Sequence, residues 1–280
     1  MANSVPNTTG INPPKLKAPP GSTDCHIHIY DPRFQPAVKR PTNATVADYR
    51  LLQKRLGFSR VVIVQPRNYA TDNGVTLDAI RQLGIANARG VGVIHPTVTD
   101  AELKRLNEGG IRGIRFTTGD AHTAVTTVDM IEPLAKRIAP FGWHVQLNMT
   151  VEQIVEQAAV LRRLPVQMVF DHMGKVLVIP HPAFDVIRGL VDQCKAWVKI
   201  SGAYFNTRVG PPTYSDATTI AKAYLNSAPE RMVWGTNWPH PWPKDPPDDA
   251  EVLDLLLTWA PDAATQKRVL VDNPAALYGF

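Results

Sequence analysis

The amino-acid sequence predicts an α/β fold: a single (β/α)8 TIM-type barrel over residues 21–280, with an extended N-terminal arm over residues 1–20. Three observations predict it. Short apolar runs alternate with amphipathic, helix-forming stretches about eight times. Arg60–Gln65 (RVVIVQ) is apolar on both faces, as a parallel strand covered by helices should be. No Gly-rich phosphate loop follows the first run, and the length of about 260 residues suits an eight-unit barrel. A doubly wound sheet is the structural alternative.

Each element follows from its residues. Residues 1–20 are rich in Pro, Asn, Gly and Lys, and read as a loose tail or an arm lying on the surface. Thr23–Ile29 (TDCHIHI) is the first strand. Its alternation assigns Asp24, His26 and His28 to one face, and Cys25, Ile27 and Ile29 to the other. A polar loop leads to a helix over Val46–Leu56. Strand Arg60–Gln65 is followed by a loop carrying Arg67, Asn68 and Tyr69, then by helix Val75–Leu83. Gly90–Ile94, Gly110–Phe116, His144–Met149, Val166–His172, Ala196–Ile200 and Arg231–Thr236 read as the other strands. Helices over Asp100–Asn107, Asp129–Pro140, Val151–Leu164, Pro182–Cys194 and Ser215–Asn226 separate them. Ala250–Trp259 and Ala263–Val271 close the chain as helices.

Composition narrows the function classes. Hydrophobic residues are 44% and charged residues 20%, an ordinary globular balance. No apolar run is long enough for a membrane span, and no signal pattern opens the chain. The two cysteines, Cys25 and Cys194, form no C-x-x-C pair. Reduced thiols and a cytoplasmic location are expected. The net charge of +5 is scattered rather than clustered, which argues against nucleic acid and suits a small anionic substrate. A homo-oligomer is compatible with all of this.

In a barrel, function gathers at the C-terminal ends of the strands. The sequence places His26 and His28 there from strand one, and Asn68 and Tyr69 after strand two. Strand four brings Arg115, Thr117 and Thr118, with Asp120 and His122 beyond. Asn148 ends strand five, Asp171–His172 ends strand six, and Ser201 and Tyr204 follow strand seven. Asn237, Trp238 and His240 follow strand eight. His144 opens its strand, so it belongs to the structural end. Loop residues of these types also cap helices and satisfy turns.

Four motifs together resemble the amidohydrolase superfamily: TDCHIHIYD at 23–31, DHMG at 171–174, WGTNWPHP at 234–241 and NPAALYGF at 273–280. TDNGVTLDAI at 71–80 and GIRGIRF at 110–116 strengthen the resemblance. The branch is the one holding 2-pyrone-4,6-dicarboxylate lactonase and D-galactarolactone isomerase. The resemblance implies a binuclear pattern of His-x-His, a bridging Lys or Glu after strand four, His after strands five and six, and Asp after strand eight. Arg115 and Asn148 depart from it. A guanidinium beside a divalent ion repels it and cannot ligate it. No metal cofactor is therefore expected, with one zinc on His26, His28 and His172 as the alternative.

Asn237 stands where the resemblance implies an aspartate acting as general base. We read it as an aspartate-to-asparagine replacement made to trap a ligand; a natural, altered or inactive enzyme is the alternative. The expected catalytic residues are His26, His28, His172 and position 237. Imidazole N–H groups would stabilise an oxyanion formed from a lactone carbonyl. Arg115 would bind a carboxylate, with Asn68, Tyr69, Thr117, Asn148, Tyr204 and His240 as substrate contacts. One Arg among many neutral polar groups favours a polyhydroxylated sugar-acid lactone. The expected reaction is a D-galactarolactone-type isomerisation from 1,5- to 1,4-lactone. Alternatives are a lactonase on a carboxylated cyclic ester and an inactive ligand-binding barrel.

Overall fold

Eight short runs of mostly β-branched and apolar residues pair in parallel, in chain order, in the computed structural model. The structure describes residues 4–119, 124–241 and 245–280. The strands are β1 Thr23–Ile27, β2 Arg60–Val64, β3 Ala88–Gly92 and β4 Ile111–Thr117. β5 His144–Asn148, β6 Met168–Phe170, β7 Ala196–Lys199 and β8 Met232–Val233 complete the sheet. Past β8 the chain bonds to β1: Cys25 N–H donates to Trp234 O (2.9 Å), Asn237 N–H to His26 O (2.8 Å) and His28 N–H to Trp238 O (2.8 Å). These bonds close the (β/α)8 barrel.

Helices α1 Val46–Leu56, α2 Gly74–Leu83, α3 Asp100–Glu108 and α4 Ile131–Ile138 cover the first half. α5 Val151–Glu156, α6 Ala158–Arg163, α7 Pro182–Asp192, α8 Ser215–Ser227 and α9 Asp249–Trp259 cover the second. Val151–Leu164, expected as one helix, is thus two, parted at Gln157. The last expected helix ends at Lys267 (α10 Ala263–Lys267), and a π-turn Arg268–Asp272 leads into an unforeseen α11, Asn273–Tyr278.

Several strands stop sooner than their composition suggests. β6 ends shortly before His172 (φ 51°), whose left-handed backbone cannot continue a strand, and β8 is only Met232–Val233. β3 ends at Gly92 because Val93 N–H donates to the Asn73 side chain (2.9 Å) instead of to a ladder.

The first strand also departs from simple alternation. Thr23 and Asp24 pair with Arg60 and Val61, but Ile27 pairs with Ile63, so β1 carries one extra residue against β2. Such a bulge re-aims side chains. Cys25 packs inward with Val62, Val64, Val91, Val169, Trp197 and Val233. His26 and His28 also stay inside. Asp24 does not share their face: it accepts from Tyr49 of α1 (3.4 Å) and from Thr236 (2.7 and 3.0 Å).

Two apolar layers result. The larger lies between strands and helices. The smaller fills the lower barrel, where Tyr278 joins it with Leu277 and Phe280 packed alongside. His144, at the start of β5, sits edge-on to Tyr278 at 5.4 Å, so it lies at the structural end. Residues 4–20 lie against the barrel: Val5 and Leu16 are buried, Trp238 Nε1–H donates to Pro6 O (2.9 Å), and Leu16 N–H donates to Asp254 (2.9 Å). No described helix is long and apolar enough to cross a membrane.

Candidate active site

A cavity of about 470 Å³ opens at the C-terminal ends of the strands. His28, Arg115, Asn148, His172 and Asn237 border it. Asn68 and Thr117 do too. Other expected residues do not. His26 lies behind His28, with Nε2 3.3 Å from His28 Nε2. Tyr69 is buried and donates to Asp31 O (3.2 Å). Tyr204 and His240 stand behind Asn237. Thr118 donates to Gln153 (2.9 Å) on the helical side. Asp120 and His122 lie outside the described residues.

The imidazole protons follow from one carbonyl. His28 Nδ1 is 2.8 Å from Val64 O, so that nitrogen carries the hydrogen. Burial, with Arg115 adding to it, lowers His28 to about 3, so the ring is neutral and Nε2 is a bare acceptor. His26 Nε2 must then be the donor across 3.3 Å. Burial also holds His26 neutral, so its Nδ1 is bare, 3.4 Å from Lys199 Nζ. Neither ring therefore presents an N–H to the cavity, unlike the sequence expectation. His172 differs: its Nδ1 meets Ser201 Oγ at 3.0 Å, and with Ser201 donating, Nε2–H is left for a ligand. Burial lowers His172 to about 3, against the pull of Asp171.

Beneath the histidines sits a network of charges that the sequence had not assembled. Asp171 accepts from Arg115 Nε (3.0 Å) and Gln146 Nε2 (3.1 Å), with Lys199 Nζ 3.6 Å from its other oxygen. Lys199 also donates to Gln146 Oε1 (2.8 Å) and is fully buried. Burial works against ionising Asp171, but its neighbours, Arg115 first and then His26 and Lys199, outweigh it and hold the carboxyl well below its usual range. Burial lowers Lys199 to about 8, against the pull of Asp171.

A second chain of bonds reaches Asn237 from outside. His240 Nε2 lies 3.1 Å from both oxygens of Asp249, at the start of α9. Its Nδ1 is 2.6 Å from the Tyr204 hydroxyl, and Asn237 Nδ2 donates to that hydroxyl at 2.8 Å. With Tyr204 donating to Nδ1, every proton has one place: Asn237 to Tyr204, Tyr204 to His240, His240 to Asp249. Asn237, His172 and His240 all have positive φ, a strain that tends to collect at functional sites.

A family model described as Amidohydrolase matches residues 23–280. The chain belongs to the amidohydrolase family. It is 34% identical to a 2-pyrone-4,6-dicarboxylate hydrolase of Comamonas testosteroni, over 95% of this chain and 92% of that protein. It is 32% identical to the D-galactarolactone isomerase of Agrobacterium fabrum, over 95% and 93%. A 4-sulfomuconolactone hydrolase of Rhizobium radiobacter is 31% identical over 95% and 93%. A ligand-free crystal structure from Agrobacterium tumefaciens superposes with a TM-score of 0.88 at 31% identity, covering 96% of this chain and 97% of that one. The replacement reading of Asn237 has no support in any of these, and Asn237 is taken below as the chain's own residue.

Amidohydrolases as a family imply a metal held at the strand ends. Among the described residues, His26, Asp171 and His172 bring ligand-type atoms within 4.8 Å of one another. The set differs from the expected His26, His28 and His172. It fits a divalent ion poorly. Lys199 already stands 3.4 Å from His26 Nδ1 and 3.6 Å from Asp171 Oδ1, and Arg115 holds Asp171 Oδ2. An ion there would face two fixed cations.

Sequence reasoning missed Lys199, Gln146 and Asp249, and undercounted the cations. Arg67 and Lys175 also border the cavity, beside Arg115. Lys199 ends an apolar strand and carried no motif. Asp249 opens a helix nine residues past its partner His240. The inward period of β5 could have flagged Gln146, two residues before Asn148.

Proposed function

We propose that this chain is a lactone-processing enzyme that isomerises a sugar-acid lactone of the D-galactarolactone type, without a metal. The observation that carries this is Asn237. It borders the cavity where a hydrolase would want a carboxylate base, and an amide takes up no proton at neutral pH. Its Nδ2 is tied to Tyr204, so the Oδ1 is the atom left to accept from a ligand hydroxyl. Water gains little from such a group. A substrate hydroxyl already held beside the carbonyl gains from proximity and needs less activation.

In this reading a ring hydroxyl, oriented by Asn237 Oδ1, attacks the lactone carbonyl. The oxyanion is met by His172 Nε2–H and by the positive charge of Arg115 and Lys175. Each preorganised donor contributes about 3–4 kcal/mol. The intermediate collapses, the former ring oxygen leaves, and the proton of the attacking hydroxyl ends on it. No water is consumed and no net proton is released. Asn148 Oδ1 is buried without a partner at the cavity wall, which suits a ligand hydroxyl. Two of the relatives are named hydrolases and one an isomerase.

A second reading has its own observation. Arg67, Arg115 and Lys175 surround the cavity, and three cations suit a dianionic cyclic ester better than one Arg does. This reading is a lactonase. The test is to follow galactaro-1,5-lactone by carbon NMR beside a pH-stat. Appearance of the 1,4-lactone with no acid release supports isomerisation; open-chain diacid above the spontaneous rate rejects it. Asn237→Asp is expected to raise hydrolysis over isomerisation at least tenfold, seen as acid release in the same assay.

A further inference from the structure

We infer that Lys199 is a built-in cation that stands in the metal position of this barrel and makes tolerable the His26 tautomer that His28 requires. The observation is where its ammonium lies: 2.8 Å from Gln146 Oε1, 3.4 Å from His26 Nδ1 and 3.6 Å from Asp171 Oδ1. These are an amide oxygen, an imidazole nitrogen and a carboxylate oxygen. Three such groups converging on one point are what a metal ion collects. Lys199 is fully buried, as are His26, Gln146 and Asp171. A bare ammonium costs a great deal to bury unless such acceptors meet it.

The ammonium also explains the proton order. Val64 O forces the hydrogen of His28 onto Nδ1, which in turn forces that of His26 onto Nε2. His26 Nδ1 is thereby left bare, 3.4 Å from the carboxylate of Asp171. Two acceptors facing each other in a dry interior repel. Lys199 stands between them, 3.4 Å from His26 Nδ1 and 3.6 Å from Asp171 Oδ1, and its positive charge offsets the repulsion. Without it, His26 would move its hydrogen to Nδ1 to satisfy Asp171, and would then turn a bare Nε2 to the bare Nε2 of His28. Lys199 is thus a positioning residue: it touches no cavity wall, and acts on the site through His26. This inference does not depend on which lactone, if any, is the substrate.

Two measurements on the full chain test it. The first uses the unaltered protein labelled with nitrogen-15 in its histidines. Long-range proton–nitrogen spectra should show His26 protonated at Nε2 and His28 at Nδ1. His26 protonated at Nδ1 overturns the inference. The second compares the unaltered protein with Lys199→Gln and Lys199→Met after equilibration with zinc and removal of excess. Zinc content by mass spectrometry should be negligible in the unaltered protein and about one ion per chain in a folded variant. Folding is checked by circular dichroism. Equal zinc in all three, or a folded variant that takes up none, overturns the claim that the ammonium occupies the ion's place. Should both variants fail to fold, the histidine spectra of the unaltered protein still decide.

Discussion

His172 depends on a glycine it does not adjoin in sequence. Gly202 has φ +66°, and a Cβ there would sit 2.9 Å from His172 Nδ1. Gly202→Ala should cost about 1–2 kcal/mol through the left-handed backbone alone. It should also push the ring off Ser201, and kcat/KM should fall by more than tenfold. Thermal unfolding and steady-state kinetics on the same preparation check both parts. The imidazoles set the response to acid as well. Burial lowers His28, His144 and His172 to about 3, so between about pH 6.5 and 3 the unfolded chain takes up protons that the folded chain refuses. Their contribution is complete above about pH 6.5 and is lost as pH falls. Asp24 acts oppositely: burial raises it to about 7, so its contribution fades as pH rises toward that value. Three rings outweigh one carboxyl. Urea midpoints should therefore drop steadily from pH 7 to pH 4, and a flat profile would contradict the burial of these rings as neutral groups. At this scale, position on a strand made the residues visible. His28, Arg115 and His172 were legible because strand ends face the cavity. Lys199 was not, since nothing in AWVK tells a reader that its lysine points inward and finds Asp171 from another strand.

The element that most repays attention is β1. Period-two alternation over seven residues points to His26 and His28, but β1 is five residues long and Asp24 leaves the face the alternation assigns it. Alternation could not reveal the bulge, because an extra residue leaves no mark on composition. The bulge turns Cys25 into the lower core and sends Asp24 to the seam with β8. There Asp24 accepts from Thr236 N–H and Oγ1–H, from His26 N–H and from Tyr49. One carboxyl thus joins β1, the segment after β8 and α1. Asp24→Ala would leave those buried donors unpaired, and should cost about 3–5 kcal/mol. Denaturant unfolding checks the stability. Activity should fall too, because Asn237 is hung from the same seam by its bond to His26 O. Asp24→Asn should recover part of the stability, since its side-chain oxygen can still accept. The split of the expected Val151–Leu164 helix and the π-turn after α10 were equally illegible: local propensity reads straight through both.

The barrel as a whole was legible from the alternation of elements, and so was the end that carries the cavity. Its lower end was less so. The last residues matched a motif, but a motif does not say where it lies. The structure places Tyr278 in the lower core, while Arg89 Nε donates to Tyr278 O (3.2 Å) and stacks over Phe280 at 4.9 Å. Arg60, opening β2, lies over the same ring at 5.3 Å. Tyr278→Ala should cost about 3–5 kcal/mol, as for a large buried side chain. Its effect on kcat should follow stability alone, because the cavity lies at the opposite end.

The position of Tyr278 and Phe280 bears on how the molecule is made. β1 comes first among the strands, yet its second neighbour is residues 234–238, and the base under both is formed by residues 277–280. Without residues 234–238, β1 would keep one edge unpaired, and His26 and His28 would lack that side of their surroundings. Closing the barrel and completing the cavity wall are therefore one event, since residues 234–238 supply both the bonds to β1 and Asn237.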